Sequence, residues 1–480
     1  MIMKTLEHNA TVAAIATASG PAGIAVVRIS GPEAGRIADA VTKCPGKPPS
    51  ARQPGSFFHA QIVNPTDGAV VDDAIVLVFR APASFTGEDV VEIQGHGGDV
   101  PVQRVLNAVL IAGARPAPPG EFTRRAFLNG KLDLTQAEAV MDLIQARSEQ
   151  AASAAQAQLS GLLGQSIDVC YEAVANLRAD IEAQMDFESD ALPPRVLHDV
   201  KNRIHQSIES IKRLQLTWKE GHLLRTGATI VICGRPNVGK SSLMNALLGK
   251  NRAIVSAIAG TTRDLIEESI LIEGIVARLV DTAGLRETSC PVENDGVSRA
   301  KAIIKQADVI VYVFDSSQPL FEQQRDFRDQ MAGTADSRTV LVFNKYDLPH
   351  AFDCCTAKQA LIEVGVLAHS ITDNVNLQAV SVSALTGDGL GLLLKTVAKL
   401  IGIHAFDPLQ HPCISTRHRN DLLLAEQALV DANALLDSEE TIILAAEKMK
   451  LAVASLGRIT GKIFSDDLLD RIFNRFCVGK

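Results

Sequence analysis

Gly234-Arg-Pro-Asn-Val-Gly239-Lys240-Ser241 fits GxxxxGK[ST], and its neighbours give it the setting that pattern requires. The apolar run Thr229–Cys233 precedes it as a strand, and Leu243–Leu248 follows with helical spacing. In a strand–turn–helix of this kind backbone amides wrap phosphate, and the helix N-terminus adds positive potential. The phosphate-contacting stretch is Asn237, Val238, Gly239, Lys240, Ser241 and Ser242. Lys240 is placed for the β and γ phosphates, and Ser241 for Mg²⁺. Working outward, Ile275–Val280, Val309–Phe314, Val340–Phe343 and Ala379–Ser383 are short apolar runs, most of them separated by helical stretches. This alternation predicts a doubly wound α/β domain over 226–401.

Three more motifs follow at strand ends and in order. Asp281, Thr282, Ala283 and Gly284 form a DTAG turn, with Asp281 directed to the Mg²⁺ shell and the Gly284 amide to the γ-phosphate. Asn344, Lys345, Tyr346 and Asp347 form NKYD. The Asp347 carboxylate can accept from N1 and N2 of guanine, whereas adenine would leave a buried Asp347 unpaired. Ser383, Ala384 and Leu385 offer a backbone amide to guanine O6. Together these residues imply GTP. Thr261 and Thr262 lie between Ser241 and Asp281, where a threonine closes on Mg²⁺; spacing and resemblance favour Thr262. Leu285 stands where signalling GTPases carry the glutamine that orients water, so another polar group must act. Glu287, Glu293 and Asp295 are the candidates, and the residues alone do not choose among them.

Composition narrows the class. The 480 residues carry 47 basic and 55 acidic side chains, a net charge of −8, with 46% hydrophobic and 21% charged residues. These are values of a soluble globular chain of about three domains, not of a disordered, collagenous or uniformly basic one. Eight cysteines with no CxxC pair argue for reduced thiols rather than a disulfide framework or zinc ribbon. No apolar run reaches the length of a membrane span, and Ala10–Val27 reads as two strands around Ser19-Gly20-Pro21 rather than a signal peptide. A cytoplasmic location is expected.

Residues 1–129 hold short apolar runs such as Ile75–Phe79 and Val90–Ile93, which predict an α+β domain. Thr135 and Glu138 read as a capping box at a helix start. Leu159, Leu163, Ile167, Cys170, Val174, Leu177, Ile181 and Met185 read as one continuous helical stripe, broken by Pro193-Pro194. A second stripe runs Val200, Ile204, Ile208, Ile211, Leu214 and Trp218. Helical periodicity returns after His404 through Leu422–Leu436, Thr441–Leu456 and Asp466–Phe476. The α/β domain is therefore expected as an insertion between two halves of a helical domain, 130–225 and 402–480.

These features carry a resemblance to the MnmE (TrmE) family of tRNA modification GTPases over nearly the whole chain. The matching stretches are Ala13-Ala-Ile-Ala-Thr17, Ile24–Gly31, Ser84–Gly98, Pro119–Lys131, Gly260-Thr-Thr-Arg-Asp264, Asp281–Glu287 and the ending Phe476-Cys-Val-Gly-Lys480. The resemblance implies an N-terminal domain that binds a tetrahydrofolate derivative (5-formyl or 5,10-methylene) and joins a homodimer. Arg28, Glu92, Lys131 and Lys480 would contact the folate. It implies K⁺ in place of an arginine finger, held by Asn237, Ser256, Ile258 and Thr261, with serine at 256 where the family commonly has threonine. Glu293 would orient the attacking water through a second water, and Cys477 would serve the modification in a role left open.

The reaction implied adds an aminomethyl or carboxymethylaminomethyl group at C5 of the wobble uridine, position 34, of tRNA. The partner would be MnmG (GidA), which carries FAD and uses NADH, in a heterotetramer or larger complex. A ribosome-assembly GTPase acting as an RNA-binding switch shares the nucleotide motifs but has no use for a folate-type front domain. A scaffold with a vestigial site conflicts with intact Lys240, Ser241, Asp281 and Asp347. Arg124-Arg125, Arg417–Arg419 and Arg471 with Arg475 are candidates for RNA contact, though each reads more readily as a solvated face.

Overall fold

The computed structural model describes residues 10–185, 194–251, 268–281, 302–331, 338–363, 378–402, 407, 411–436 and 441–480. The chain divides into two compact units. One comprises Met1–Ile144, Gln158–Lys212 and Asn420–Lys480, the other Gln145–Ala157 and Arg213–Arg419.

The first unit is built on a seven-stranded sheet of order β3-β4-β5-β6-β2-β1-β7. Its strands are β1 (Val12–Ile15), β2 (Ile24–Ser30), β3 (Thr42–Lys43), β4 (Ser56–Val63), β5 (Val70–Phe79), β6 (Val90–His96) and β7 (Arg115–Pro116). Pairing is antiparallel except between β1 and β7. The two-residue period sorts the faces. Ala25, Val27 and Ile29 of β2 pack with Ile37, Val41, Ile93, Val105 and Val109 into one core, under the helices Ala34–Val41 and Asp99–Ile111. Arg28 points the other way, opposite Glu92 of β6.

Helices make up the rest of this unit. Leu162–Met185 lies along Ile442–Thr460. Leu163, Ile167, Val174, Leu177 and Ile181 are buried from the first, and Ala445, Met449, Ala452, Leu456 and Ile459 from the second. The stripe expected as one helix from Leu159 is two, because Glu149–Leu159 ends before Gly161, whose φ of +96° takes the chain out of the right-handed helical region. The capping box at Leu134–Gln145 also differs from the expected one. Asp133 Oδ1 accepts from Gln136 N at 2.8 Å, and Gln136 Oε1 accepts from Asp133 N at 2.9 Å. Thr135 is one residue inside the helix, and its hydroxyl donates to Asp133 Oδ1. The stripe Val200–Leu214 is buried within Pro194–Leu216, but Trp218 opens a separate helix, Trp218–Thr226, which belongs to the second unit. The last helix is Asp466–Phe473, capped by Ser465, and ends three residues sooner than expected.

The second unit holds a six-stranded sheet of order β13-β12-β11-β8-β10-β9. The strands are β8 (Ala228–Gly234), β9 (Glu268–Ile272), β10 (Ile275–Asp281), β11 (Val309–Asp315), β12 (Arg338–Asn344) and β13 (Gln378–Ser381). Five are parallel, and alternating side chains enter cores on both faces. Ile230, Ile232, Val311 and Val313 meet Leu243, Leu247, Leu393 and Val397 from the helices Lys240–Asn251 and Leu390–Ile401. Val231, Tyr312, Phe314 and Phe343 meet Phe327 and Leu361 from the helices Leu320–Met331 and Cys354–Glu363. Strand β9 is not expected from the apolar runs. It pairs antiparallel with β10 through a two-residue turn, Glu273 and Gly274, with φ of +48° and +85°.

A surface pair in the first unit makes stability depend on pH. Asp72 Oδ1 meets His96 Nδ1 at 2.7 Å, and Asp72 Oδ2 accepts from His96 N at 2.9 Å. The hydrogen bond to Asp72 raises the His96 imidazole above its ordinary 6.5. Burial pushes the Asp72 carboxyl up, but the His96 bonds outweigh it and hold it below 3.8. His96 therefore favours the folded chain below pH 6.5 and loses that contribution as pH rises through its raised value. Asp72 contributes above pH 3.8 and loses its share as pH falls through its lowered value. In urea melts, His96→Ala is expected to lower stability most between those two folded-state values, with the gap to wild type narrowing above the upper one. A gap independent of pH would contradict this.

Candidate functional site

The ends of β8, β12 and β13 converge at the carboxyl edge of the second sheet, where open α/β sheets bind ligands. After β8 the chain turns through Gly234, Asn237 and Gly239, with φ of +143°, +63° and +95°, and enters the helix at Lys240. Two of these conformations allow little but glycine. A Cβ on Gly234 would stand 2.4 Å from Val313 O, and one on Gly239 would stand 2.3 Å from Asn344 Nδ2. Lys240 is buried, and its ammonium donates to Gly234 O at 3.1 Å and Arg235 O at 2.7 Å, across the loop. Ser241 Oγ donates to Asp281 Oδ2 at 3.2 Å. A hydroxyl and a carboxylate so placed are the hard oxygen donors that Mg²⁺ takes, with phosphate oxygens and water completing its shell. Asn237 is exposed and makes no side-chain hydrogen bond among the described residues. Val238 is buried and Ser242 is exposed on the first turn of the helix.

The NKYD stretch is tied to both neighbouring loops. Asn344, only 1% exposed, donates from Nδ2 to Val238 O at 2.9 Å and accepts at Oδ1 from Ala384 N at 3.0 Å. Lys345 takes φ +62°, and its ammonium donates to Asp315 Oδ2 at 2.6 Å. Asp315 ends β11 and is itself buried. Burial pushes its carboxyl up, but the Lys345 and Ser317 donors prevail and hold it below the ordinary carboxylate range. The apolar run before Asp315 and its place at the same sheet edge were the available signal for this residue. Asp347 is exposed, not buried, because it lies past the strand at the open edge. Its Oδ1 accepts from Ser383 Oγ at 2.6 Å. In the last loop the Ala384 amide goes to Asn344 and the Thr386 amide to Ser383 Oγ. The Leu385 amide makes no bond among the described residues, and its side chain is exposed.

Ser256, Ile258, Thr261 and Thr262 lie outside the described residues, as do Thr282, Ala283, Gly284, Leu285, Glu287, Glu293 and Asp295.

In the first unit, Arg28 and Glu92 face each other across β2 and β6 and form an ion pair, Nε to Oε1, at 2.8 Å. The Arg28 guanidinium lies 5.8 Å from the Phe85 ring centre and 5.5 Å from that of Phe122. Phe122 N in turn donates to the main-chain oxygen of Lys480 at 3.2 Å. Lys131 Nζ donates to Pro82 O at 3.1 Å, and its Cγ would be 3.4 Å from a Cβ on Gly87. The tail is seated closely: a Cβ on Gly479 would stand 2.1 Å from Ile15 O. Cys477 is an exposed free thiol whose carbonyl accepts from Gly120 N.

Two of the basic clusters are engaged within the chain. Arg125 is 4% exposed and bonded to Glu88 at 3.0 Å and Glu121 at 2.8 Å, so it is not available to RNA. Arg124 meets Asp470 at 3.5 Å. Arg417 contacts buried His418, and Arg419 lies 4.2 Å from the Trp218 ring centre. Arg471 pairs with Asp467 on an exposed face, and Arg475 is exposed.

Two family descriptions match: "GTP-binding protein TrmE N-terminus" over residues 11–131 and "MnmE helical domain" over residues 134–477. The tRNA modification GTPase MnmE of Natranaerobius thermophilus is 40% identical over 476 residues, 98% of this chain and 99% of that protein. That of Symbiobacterium thermophilum is 42% identical over 471 residues, again 98% and 99%. That of Coxiella burnetii is 41% identical over 473 residues, 98% of each. The FeoB G-domain from Methanococcus jannaschii aligns with 36% of this chain and 97% of its own, at 21% identity and a TM-score of 0.26, too slight a likeness to argue from.

The glycine geometry gives a paired test. Gly239→Ala combines a positive φ with a clash on buried Asn344, so it is expected to abolish measurable nucleotide binding and lower stability. Gly249→Ala lies in the helix that follows, Lys240–Asn251, with open space around it, and is expected to raise stability by ~0.5–1 kcal/mol without changing binding. Nucleotide titration and denaturant melts on both variants read this. Normal binding by Gly239→Ala would refute the account of the loop.

Proposed function

The chain belongs to the MnmE family of tRNA modification GTPases, and from that premise we propose how its residues divide the work. It is a GTP hydrolase that acts in tRNA modification. The observation that carries this reading is the buried Asn344, which joins the phosphate loop to the base-side loop while Ser241 and Asp281 converge on one point.

Lys240 binds the β and γ phosphates, and Mg²⁺ is held by Ser241 and Thr262, with Asp281 behind them. Asp347 accepts from the guanine edge, held in orientation by Ser383. K⁺ is held by Asn237, Ser256, Ile258 and Thr261; when bound, it offsets charge developing on the phosphates. The exposed Asn237 carboxamide, which makes no side-chain bond among the described residues, suits a cation ligand. Glu293 orients water in place of the missing glutamine.

Arg28 and Glu92 of the N-terminal domain, residues 1–129, form the folate site together with Lys131 and Lys480, and that domain also joins two protomers. The two aromatic rings beside Arg28 suit a flat heterocycle, and the carboxylate of Glu92 suits its donor edge. The helical domain, 130–225 and 402–480, brings Cys477 to that domain, and the GTPase domain, 226–401, is inserted in it. With the FAD- and NADH-using partner MnmG, the protein adds aminomethyl or carboxymethylaminomethyl groups at C5 of uridine 34, taking the carbon from methylenetetrahydrofolate. It acts in the cytoplasm.

Two measurements test this. Mass spectrometry of tRNA nucleosides from cells lacking the gene is expected to show loss of C5-substituted wobble uridines, and their return when the gene is restored. Unchanged nucleosides with unassembled ribosomal subunits would favour an assembly GTPase instead. Hydrolysis is expected to be faster in KCl than in NaCl at equal ionic strength by about tenfold or more, since an arginine finger in that place is worth 10³–10⁵. Equal rates would remove the role given to Asn237.

A further inference from the structure

The helix Leu320–Met331 lies beneath the sheet edge, and one of its buried side chains reaches the base-side loop indirectly. Gln323 is 2% exposed. Its Oε1 accepts from Asp315 N at 2.9 Å, and its Nε2 donates to Asp315 O at 2.9 Å and Gln318 O at 3.4 Å. A buried amide satisfied at both ends has one orientation and fixes the backbone it grips. The residue gripped is Asp315, whose Oδ1 accepts from Ser317 N and Oγ and whose Oδ2 takes Lys345 Nζ at 2.6 Å. Lys345 holds a left-handed backbone conformation that a lysine rarely adopts, so something must stabilise it. The ion pair with Asp315, largely shielded from water on the carboxylate side, is that support. Two residues further on stands Asp347.

We propose that Gln323 is a positioning residue for guanine recognition. It touches no nucleotide; it fixes Asp315, Asp315 seats Lys345, and Lys345 sets the turn that presents Asp347. The same helix also meets the phosphate loop through Arg235, which bonds Asp326 at 2.7 Å and Glu322 O at 3.0 Å. That pair is half exposed and contributes little by comparison. The proposal rests on reading this site as one for guanine nucleotides.

Titration of the full-length protein with GDP and Mg²⁺ separates the possibilities. Gln323→Met and Asp315→Asn are each expected to weaken GDP about tenfold, since both undo the one charge-assisted bond on this path, that of Asp315 to Lys345. For Gln323→Met the GTP KM should rise in step while kcat stays within about twofold. The double variant should be no weaker than the weaker single one, because both act on one path. Where Gln323→Met does not fold, Gln323→Glu serves: it keeps the acceptor for Asp315 N and sets an oxygen against Asp315 O. Wild-type GDP affinity in either folded Gln323 variant, or a double variant that multiplies the two losses, would overturn the proposal. Wild-type protein that binds no GDP would overturn the nucleotide reading itself, and this inference with it.

Discussion

The side chain of Asn344 is the fixed point of the nucleotide-binding unit. Its amide spends its donor on Val238 O and its acceptor on Ala384 N, in a place water does not reach. No other residue of its size offers both groups, and a buried polar atom left without a partner costs about 1–3 kcal/mol. Three loops from β8, β12 and β13 thus share one joint. The absence of a side chain at Gly239 follows from the same joint, since the Asn344 amide occupies the space a Cβ would need. The parallel sheet makes the joint possible, because its order brings the carboxyl ends of these strands into one row.

A buried charge plays the corresponding part in the first unit. Arg125 binds Glu88 and Glu121 and donates to Ala10 O, while Glu88 accepts from Ser30. The network joins four stretches of sequence far apart: Ala10 ahead of β1, the end of β2, the loop before β6 and the helix Glu121–Leu128. Removing one member of such a set typically costs about 3–5 kcal/mol, since the charge left behind stays out of water. With that frame held, Arg28 and Glu92 stand on the same face of the sheet as Ser30, away from the core of Ala25, Val27 and Ile29, and pair with each other. Neither is a free charge waiting for a ligand, so a folate bound there must exchange with, or add to, an existing ion pair.

The readability of the chain follows the range of the forces involved. Parallel strands buried on both faces are continuous apolar runs, and these were legible as β8, β10, β11, β12 and β13. Strand β9 was not: Glu273-Gly274 is a weak hairpin signal, and its strand, Glu268–Ile272, opens with polar residues at an edge. Two capping boxes overlap at 133–138, D-x-x-Q and T-x-x-E, and local pattern does not choose between them; the backbone places Asp133 at the cap. The phosphate and base motifs were legible because they are contiguous. Asp315 and Gln323 were not, because their role arises only when β11, its following helix and Lys345 meet in space. The reading of Arg125 as an exposed cation failed for the same reason, as its carboxylate partners lie four and thirty-seven residues away.

The hairpin of β9 and β10 has a mechanical consequence. Glu268 pairs with Leu279, and Asp281 lies just two positions beyond. The segment that precedes β9 and the segment that follows β10 are therefore rooted on adjacent rungs of one ladder, bound by main-chain hydrogen bonds and closed by a two-residue turn. Asp281 is also paired with Ile232 of β8, so a pull on the second root passes directly into β8, and one on the first reaches β8 through β10. The ribbon acts as a yoke: insertions or deletions in one segment leave the anchorage of the other in register, and the two can vary in length without losing their common base.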